Sequence, residues 1–115
     1  MLKISFSKTV KSKITVFTDF LKEYYRKFYN DSGLPNEDDI INMYVIITDR
    51  LTEEIIDEIE NTIKKGVFGE IIDRTSDSEK SKLVIFVRSY NVVCYCKKYT
   101  DDKNNIYIED IFIKS

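Results

Sequence analysis

Along the first thirty residues the apolar positions change period. Leu2, Ile4 and Phe6 alternate with Lys3, Ser5 and Ser7, the twofold repeat of a short strand. From Val10 the repeat becomes three and four, so that Val10, Ile14, Phe17, Leu21, Tyr24, Tyr25 and Phe28 fall on one helical stripe. That helix is expected to stop near Asn30-Asp31-Ser32-Gly33, where Gly suits a C-terminal cap and Pro35 forbids continuation.

Asn36 reads as the N-cap of a second helix. Glu37, Asp38 and Asp39 occupy its first turn, where carboxylates meet the positive end of the helix dipole. From there to Gly66 the chain has neither Gly nor Pro, and Ile40, Tyr44, Ile47, Leu51, Ile55, Ile59 and Ile63 keep helical spacing throughout. One helix over that stretch would be about 45 Å long, large for this domain. A break near Thr48-Asp49 is therefore expected, with Thr52 starting a fresh helix. Met43 to Thr48 is dense in β-branched and aromatic residues and also fits a buried strand; the unbroken stripe favours helix.

After Gly66 the pattern turns to strands. Val67 to Asp73 fits a short strand, and Arg74 to Lys82 a charged, Ser-rich loop. Leu83-Val84-Ile85-Phe86-Val87 is continuous enough for a central strand ending at Arg88, and Asn91 separates it from a second run, Val92 to Tyr99. Asp101-Asp102-Lys103-Asn104-Asn105 is turn chemistry, and Ile106 to Ile113 is the last strand of an antiparallel meander. Within it, Ile106 and Ile108 share one face while Ile111 and Ile113 fall on the other. A β-bulge at Glu109-Asp110 would return all four Ile to the core and turn the carboxylates outward. Without it Asp110 would be buried at considerable cost.

The expected fold is α+β: a short N-terminal strand, two helical elements, then an antiparallel β-meander with the helices on one face. The 115 residues, 1–115, make one domain, 43% hydrophobic and 33% charged, neither a disordered polyelectrolyte nor a membrane protein. No apolar run reaches about 18 residues and no secretory leader pattern opens the chain, so a soluble, intracellular protein is expected. A sheet with two edges and a second face, loaded with Tyr90, Tyr95, Tyr99, Tyr107 and Phe112, leads to the expectation of a homodimer that buries either the free face or an edge.

Composition narrows the chemistry. Ile occurs 17 times; Ala, Gln, His and Trp are absent, which removes His-based triads, bases and metal sites. The three Gly, at 33, 66 and 69, are too dispersed for a phosphate-binding loop. Cys94 and Cys96, two apart on a strand, share a face about 7 Å apart, beyond relaxed disulfide reach. They read as small buried hydrophobes, and no cofactor or metal is expected.

Net charge is −2, yet residues 1–30 carry +5, residues 31–60 carry −9 and the remainder +2. Attraction between a basic first helix and an acidic second one accounts for this most simply. Lys11, Lys22 and Arg26 lie within about 60° of one another on the first helix, joined by Tyr29, a stripe able to hold phosphates and stack a base. Glu53, Glu54, Asp57, Glu58 and Glu60 form a solvated acidic face, or a surface that imitates nucleic-acid phosphates toward a basic partner.

Abundant Ile, Lys, Asn and Tyr with no Ala, and many Glu and Lys with no Gln, resemble the small proteins of AT-rich archaeal rod-shaped viruses, which implies a thermophilic, virus-encoded origin and a host-protein partner. A second resemblance is local. Phe86-Val87-Arg88-Ser89-Tyr90-Asn91-Val92-Val93-Cys94-Tyr95, followed by Asp101-Asp102-Lys103-Asn104-Asn105-Ile106-Tyr107-Ile108, is similar to the closing hairpin of RelE/ParE-type toxins. That superfamily opens with a strand and a helical hairpin and carries a basic segment after a central strand. Asn91 stands where it usually has a second Arg. The resemblance implies an endoribonuclease in which Arg88 stabilises phosphate charge and Lys97, Lys98 and Tyr99 line the RNA path. The residues therefore offer three functions: a non-catalytic interaction protein binding through a charged surface, a RelE-like endoribonuclease, and a nucleic-acid module using the first helix.

Overall fold

A computed structural model of the chain describes residues 2–30 and 37–114, with the side chains of all but 28–30 and 37–41. In chain order the elements are β1 (Lys3–Phe6), α1 (Lys8–Asn30), α2 (Glu37–Lys64), β2 (Glu70–Arg74), β3 (Ser78–Val87), β4 (Tyr90–Tyr99) and β5 (Asp102–Lys114). The expected stop at Gly33 and Pro35 and the Asn36 cap lie outside the described residues.

The architecture is α+β. One five-stranded sheet has the order β1-β5-β4-β3-β2. β2 to β5 form the antiparallel meander, and β1 adds in parallel to β5, with Ile4 opposite Ile106 and Phe6 opposite Ile108. Val10 and Ile14 of α1, Leu51, Ile55, Ile59 and Ile63 of α2, and alternate residues of β3, β4 and β5 make one buried cluster. Both helices thus cover the same face of the sheet, because only one side of β3, β4 and β5 carries the buried apolar set.

The bulge is present. Tyr95 lies opposite Asp110 while Cys96 lies opposite Ile108, so Glu109 is the extra residue. Ile106, Ile108 and Ile111 are all buried and Ile113 packs against them. Asp110 faces Lys13 of α1, its carboxylate 2.6 Å from the Lys13 ammonium.

Several boundaries differ from the sequence pattern. No break occurs at Thr48-Asp49: α2 runs unbroken from Glu37 to Lys64, and Met43 to Thr48 are helical. The buried Thr48 hydroxyl donates to the Tyr44 carbonyl at 2.8 Å, so the helix satisfies it internally. The length is accommodated because the molecule measures 61 × 23 × 22 Å and has a radius of gyration of 17.3 Å. A round domain of this size would have about 13 Å. The far halves of α1 and α2 project from the sheet as an arm.

Arg74 to Lys82 is mostly strand rather than loop, with β3 beginning at Ser78 and the connection reduced to Thr75–Asp77. There the Thr75 hydroxyl accepts from the Ser78 amide and the Thr75 amide donates to the Ser78 carbonyl, a turn closed by its own side chain. The first strand of the meander starts at Glu70, not Val67. Gly69 precedes it with φ +79°, where a Cβ would collide with the Lys82 carbonyl. Asn91 does not break the sheet; it pairs with Phe86 inside β4, and the turn is Arg88-Ser89. The last turn is Thr100-Asp101, after which Lys103 to Asn105 are accommodated as an irregularity at the start of β5. Tyr24, placed on the core stripe by spacing, is exposed.

Candidate functional site

Arg88 occupies the first central position of the two-residue β3–β4 turn at φ +54°. A long side chain in the left-handed region is uncommon and is held there by its surroundings. Its guanidinium makes a two-pronged pair with Glu54 of α2, Nε to Oε2 at 2.8 Å and Nη2 to Oε1 at 2.9 Å. That hydrogen bonding raises the Arg88 pKa and lowers that of Glu54. Tyr25 and Tyr90 are close enough to act on the same guanidinium. Tyr25 stacks on Tyr44 with ring centres 4.4 Å apart, and Phe17 meets Tyr90 edge-on at 5.1 Å. Burial raises the Tyr25 pKa. An aromatic group therefore lies at the root of the arm, beside a cation already matched by a carboxylate.

Lys97, Lys98 and Tyr99 stand at the opposite end of β4, about 23–30 Å from the Arg88 turn by strand rise. Alternation divides them further. Lys97 lies 5.0 Å from the Tyr99 ring and 3.9 Å from the Glu109 carboxylate, whereas Lys98 lies over Phe68 at 4.6 Å. The four residues implied by the toxin resemblance are not brought together.

The basic stripe of α1 is largely matched within the protein. Lys22 reaches Asp49 of α2 at 2.6 Å, and Arg26 reaches Glu23 at 3.1 Å. Lys11 remains exposed, beside a groove formed with Phe6, Ile14 and Ile56. The Tyr29 side chain lies outside the described residues. Among the acids of α2, Glu53, Asp57 and Glu58 are exposed and Glu54 is committed to Arg88. No group of three metal-capable side chains occurs among the described residues. Cys94 and Cys96 are free and buried in the core; burial pushes their thiols up to about 12 and about 11. They are poor nucleophiles and metal ligands there. No described helix is long and apolar enough to cross a membrane.

Sequence spacing did not single out a second apolar strip on α1. Val16 and Phe20 lie one turn apart, off the core stripe, and are 66% and 67% exposed. With Phe17, Lys13 and residues Ile111 to Ile113 of β5 they wall an open groove of about 400 Å³. At its rim the Lys13 ammonium sits 3.9 Å over the Phe112 ring and pairs with Asp110, whose carboxyl it holds below the usual carboxylate range. On α2, Met43 and Ile46 are also exposed. The available signal was that α1 carries more large apolar residues than one stripe can hold. Compared with known protein families, curated proteins and solved structures, the chain finds no match.

Proposed function

We propose that this chain is a small non-catalytic interaction protein, virus-encoded, that works as a homodimer and binds a host protein through the acidic face of α2. One observation carries the reading: the outward side of α2, along the arm and over the sheet, presents acidic and apolar side chains that the core does not use. Exposed Glu53, Asp57 and Glu58 share α2 with exposed Met43 and Ile46. Apolar residues next to unmatched acid favour a partner with a basic rim around an apolar centre. Of the cations of α1, Lys13, Lys22 and Arg26 are matched by acids, which lowers their attraction for phosphate. Affinity capture from host lysate tests the proposal, comparing the wild type with a triple Glu53→Lys, Asp57→Lys, Glu58→Lys variant. A protein retained by the wild type and lost with the variant, salt-sensitively, supports it; equal retention overturns it.

The second reading, a RelE-like endoribonuclease, is favoured by the element order, strand, helical hairpin and closing meander, and by Tyr25 and Tyr90 near Arg88. Growth arrest on expression that disappears with Arg88→Ala would support it. Absence of arrest from a folded, expressed wild type would remove it.

A further inference from the structure

β1 covers only part of β5. Its pairing ends with Phe6 opposite Ile108. The Ser7 amide then donates to the Ile108 carbonyl and the Ser7 hydroxyl to the Glu109 carbonyl, and the chain leaves the sheet to begin α1. From Asp110 to Lys114, β5 has β4 on one side and, among the described residues, no strand on the other. Peptide groups alternate in direction along a strand, which turns those of Ile111 and Ile113 toward this open side. The Ile111 amide there donates to the Asp110 carboxylate at 2.9 Å, a local substitute for a strand partner.

Both flanks of that edge are apolar. On the helical side stands the groove of Val16, Phe17 and Phe20. On the other face Phe112 is exposed and meets Tyr95 edge-on at 5.8 Å. An unpaired edge with apolar walls on both sides is a template for another strand.

We propose that the occupant is a second copy of this chain, whose β5 pairs antiparallel with this one about a twofold axis at Phe112, joining two five-stranded sheets into one of ten. This deepens the homodimer reading above and rests on it. The edge is complementary to itself in that register. Ile111 falls opposite Ile113 of the partner subunit, and the two such pairs related by the twofold exchange about four hydrogen bonds in all. Asp110 falls opposite Lys114 of the partner subunit, so each end of the paired segment matches a carboxylate with an ammonium. A shift of two residues either way loses that match. The twofold also brings the two α1 helices side by side, with Val16 and Phe20 of each closing the grooves. Lys13 crosses the edge to Asp110, but as a 39% exposed side chain it can swing aside at little cost.

Phe112→Cys tests the register, because it places one sulfur from each copy at directly opposed antiparallel positions, within disulfide reach. Phe86→Cys, exposed on the same face of the sheet, is the control. Light scattering on the wild type at micromolar concentration is expected to give the dimer mass. Mild oxidation is expected to cross-link the Phe112→Cys variant and not the Phe86→Cys variant. Phe20→Glu, which changes an exposed side chain, is expected to give a monomer with an unchanged circular dichroism spectrum. A monomeric wild type would overturn both this surface and the homodimer reading. A wild-type dimer that survives Phe20→Glu, or cross-links through the Phe86→Cys variant instead, would overturn the β5 surface alone.

Discussion

Replacing Arg88 sets two opposing contributions against each other at one turn. The residue sits at φ +54° in the first central position of a two-residue hairpin connection, where Gly is the usual occupant of a type II′ turn. Left-handed backbone costs a non-Gly residue about 1–2 kcal/mol. Against that stands the pair with Glu54, whose two side chains are 36% and 46% exposed; solvent-exposed pairs contribute about 0.2–1 kcal/mol. Arg88→Ala loses the pair and keeps the strained backbone, so it is expected to destabilise by up to about 1 kcal/mol. Arg88→Gly loses the pair but relieves the strain, less about 0.5–1 kcal/mol for the greater freedom of unfolded Gly. The Gly variant should therefore be more stable than the Ala variant by roughly 0.5–1 kcal/mol, close to the wild type. Urea denaturation followed by circular dichroism reads both differences, provided the denaturant slopes stay equal. Glu54→Gln should weaken the wild type and leave either Arg88 variant unchanged. Equal stability of the Gly and Ala variants, or Gly below Ala, would refute the claim that the turn stores strain which the Glu54 contact helps to hold.

Three further outcomes follow from the core, the thiols and the carboxylates. Ile59→Ala, fully buried between α2 and the sheet, should cost about 2–5 kcal/mol in the same assay, whereas Met43→Ala, at an exposed position of α2, should change stability by less than about 0.5 kcal/mol. Cys94 and Cys96 should resist a thiol reagent at pH 8 until the protein unfolds. Their folded pKa values of about 12 and about 11 lie above the ordinary thiol value. Stability should accordingly fall as pH rises above about 9, a fall that is smaller and begins at higher pH when both are replaced by Val, because Tyr25 is raised too. Glu54 and Asp110 have pKa values lowered by Arg88 and Lys13. Their contribution is present above the ordinary carboxylate range and is lost as pH falls through and below it. Acid titration of Glu54→Gln and Asp110→Asn should show a shallower loss than the wild type.

Local periodicity was enough to read most elements and one fine feature. The bulge at Glu109 was legible because two Ile pairs of opposite parity cannot both face a core unless one residue is added between them. The burial of both thiols was legible from their place on an apolar strand. Strand boundaries were less so. Ser78 to Lys82 is polar enough to read as loop, yet pairing with β4 on one side and β2 on the other extends β3 through it. Ladder hydrogen bonds are backbone properties and leave little trace in side-chain chemistry. The site residues divide the same way: the opposite charges of α1 and α2 are written in the sequence, but which ammonium meets which carboxylate depends on how the helices cross.

Residue order alone thus dictated the α+β class, the two amphipathic helical elements, the meander and its bulge, because each follows from side-chain period and turn chemistry over a few neighbouring positions. Only three-dimensional assembly decided that α2 is one continuous rod and that Arg88 meets Glu54 across the helix–sheet boundary. It also decided that β1 stops short of the end of β5, leaving Asp110 to Lys114 open. Those outcomes depend on lengths and distances between elements far apart along the chain, which no local window contains.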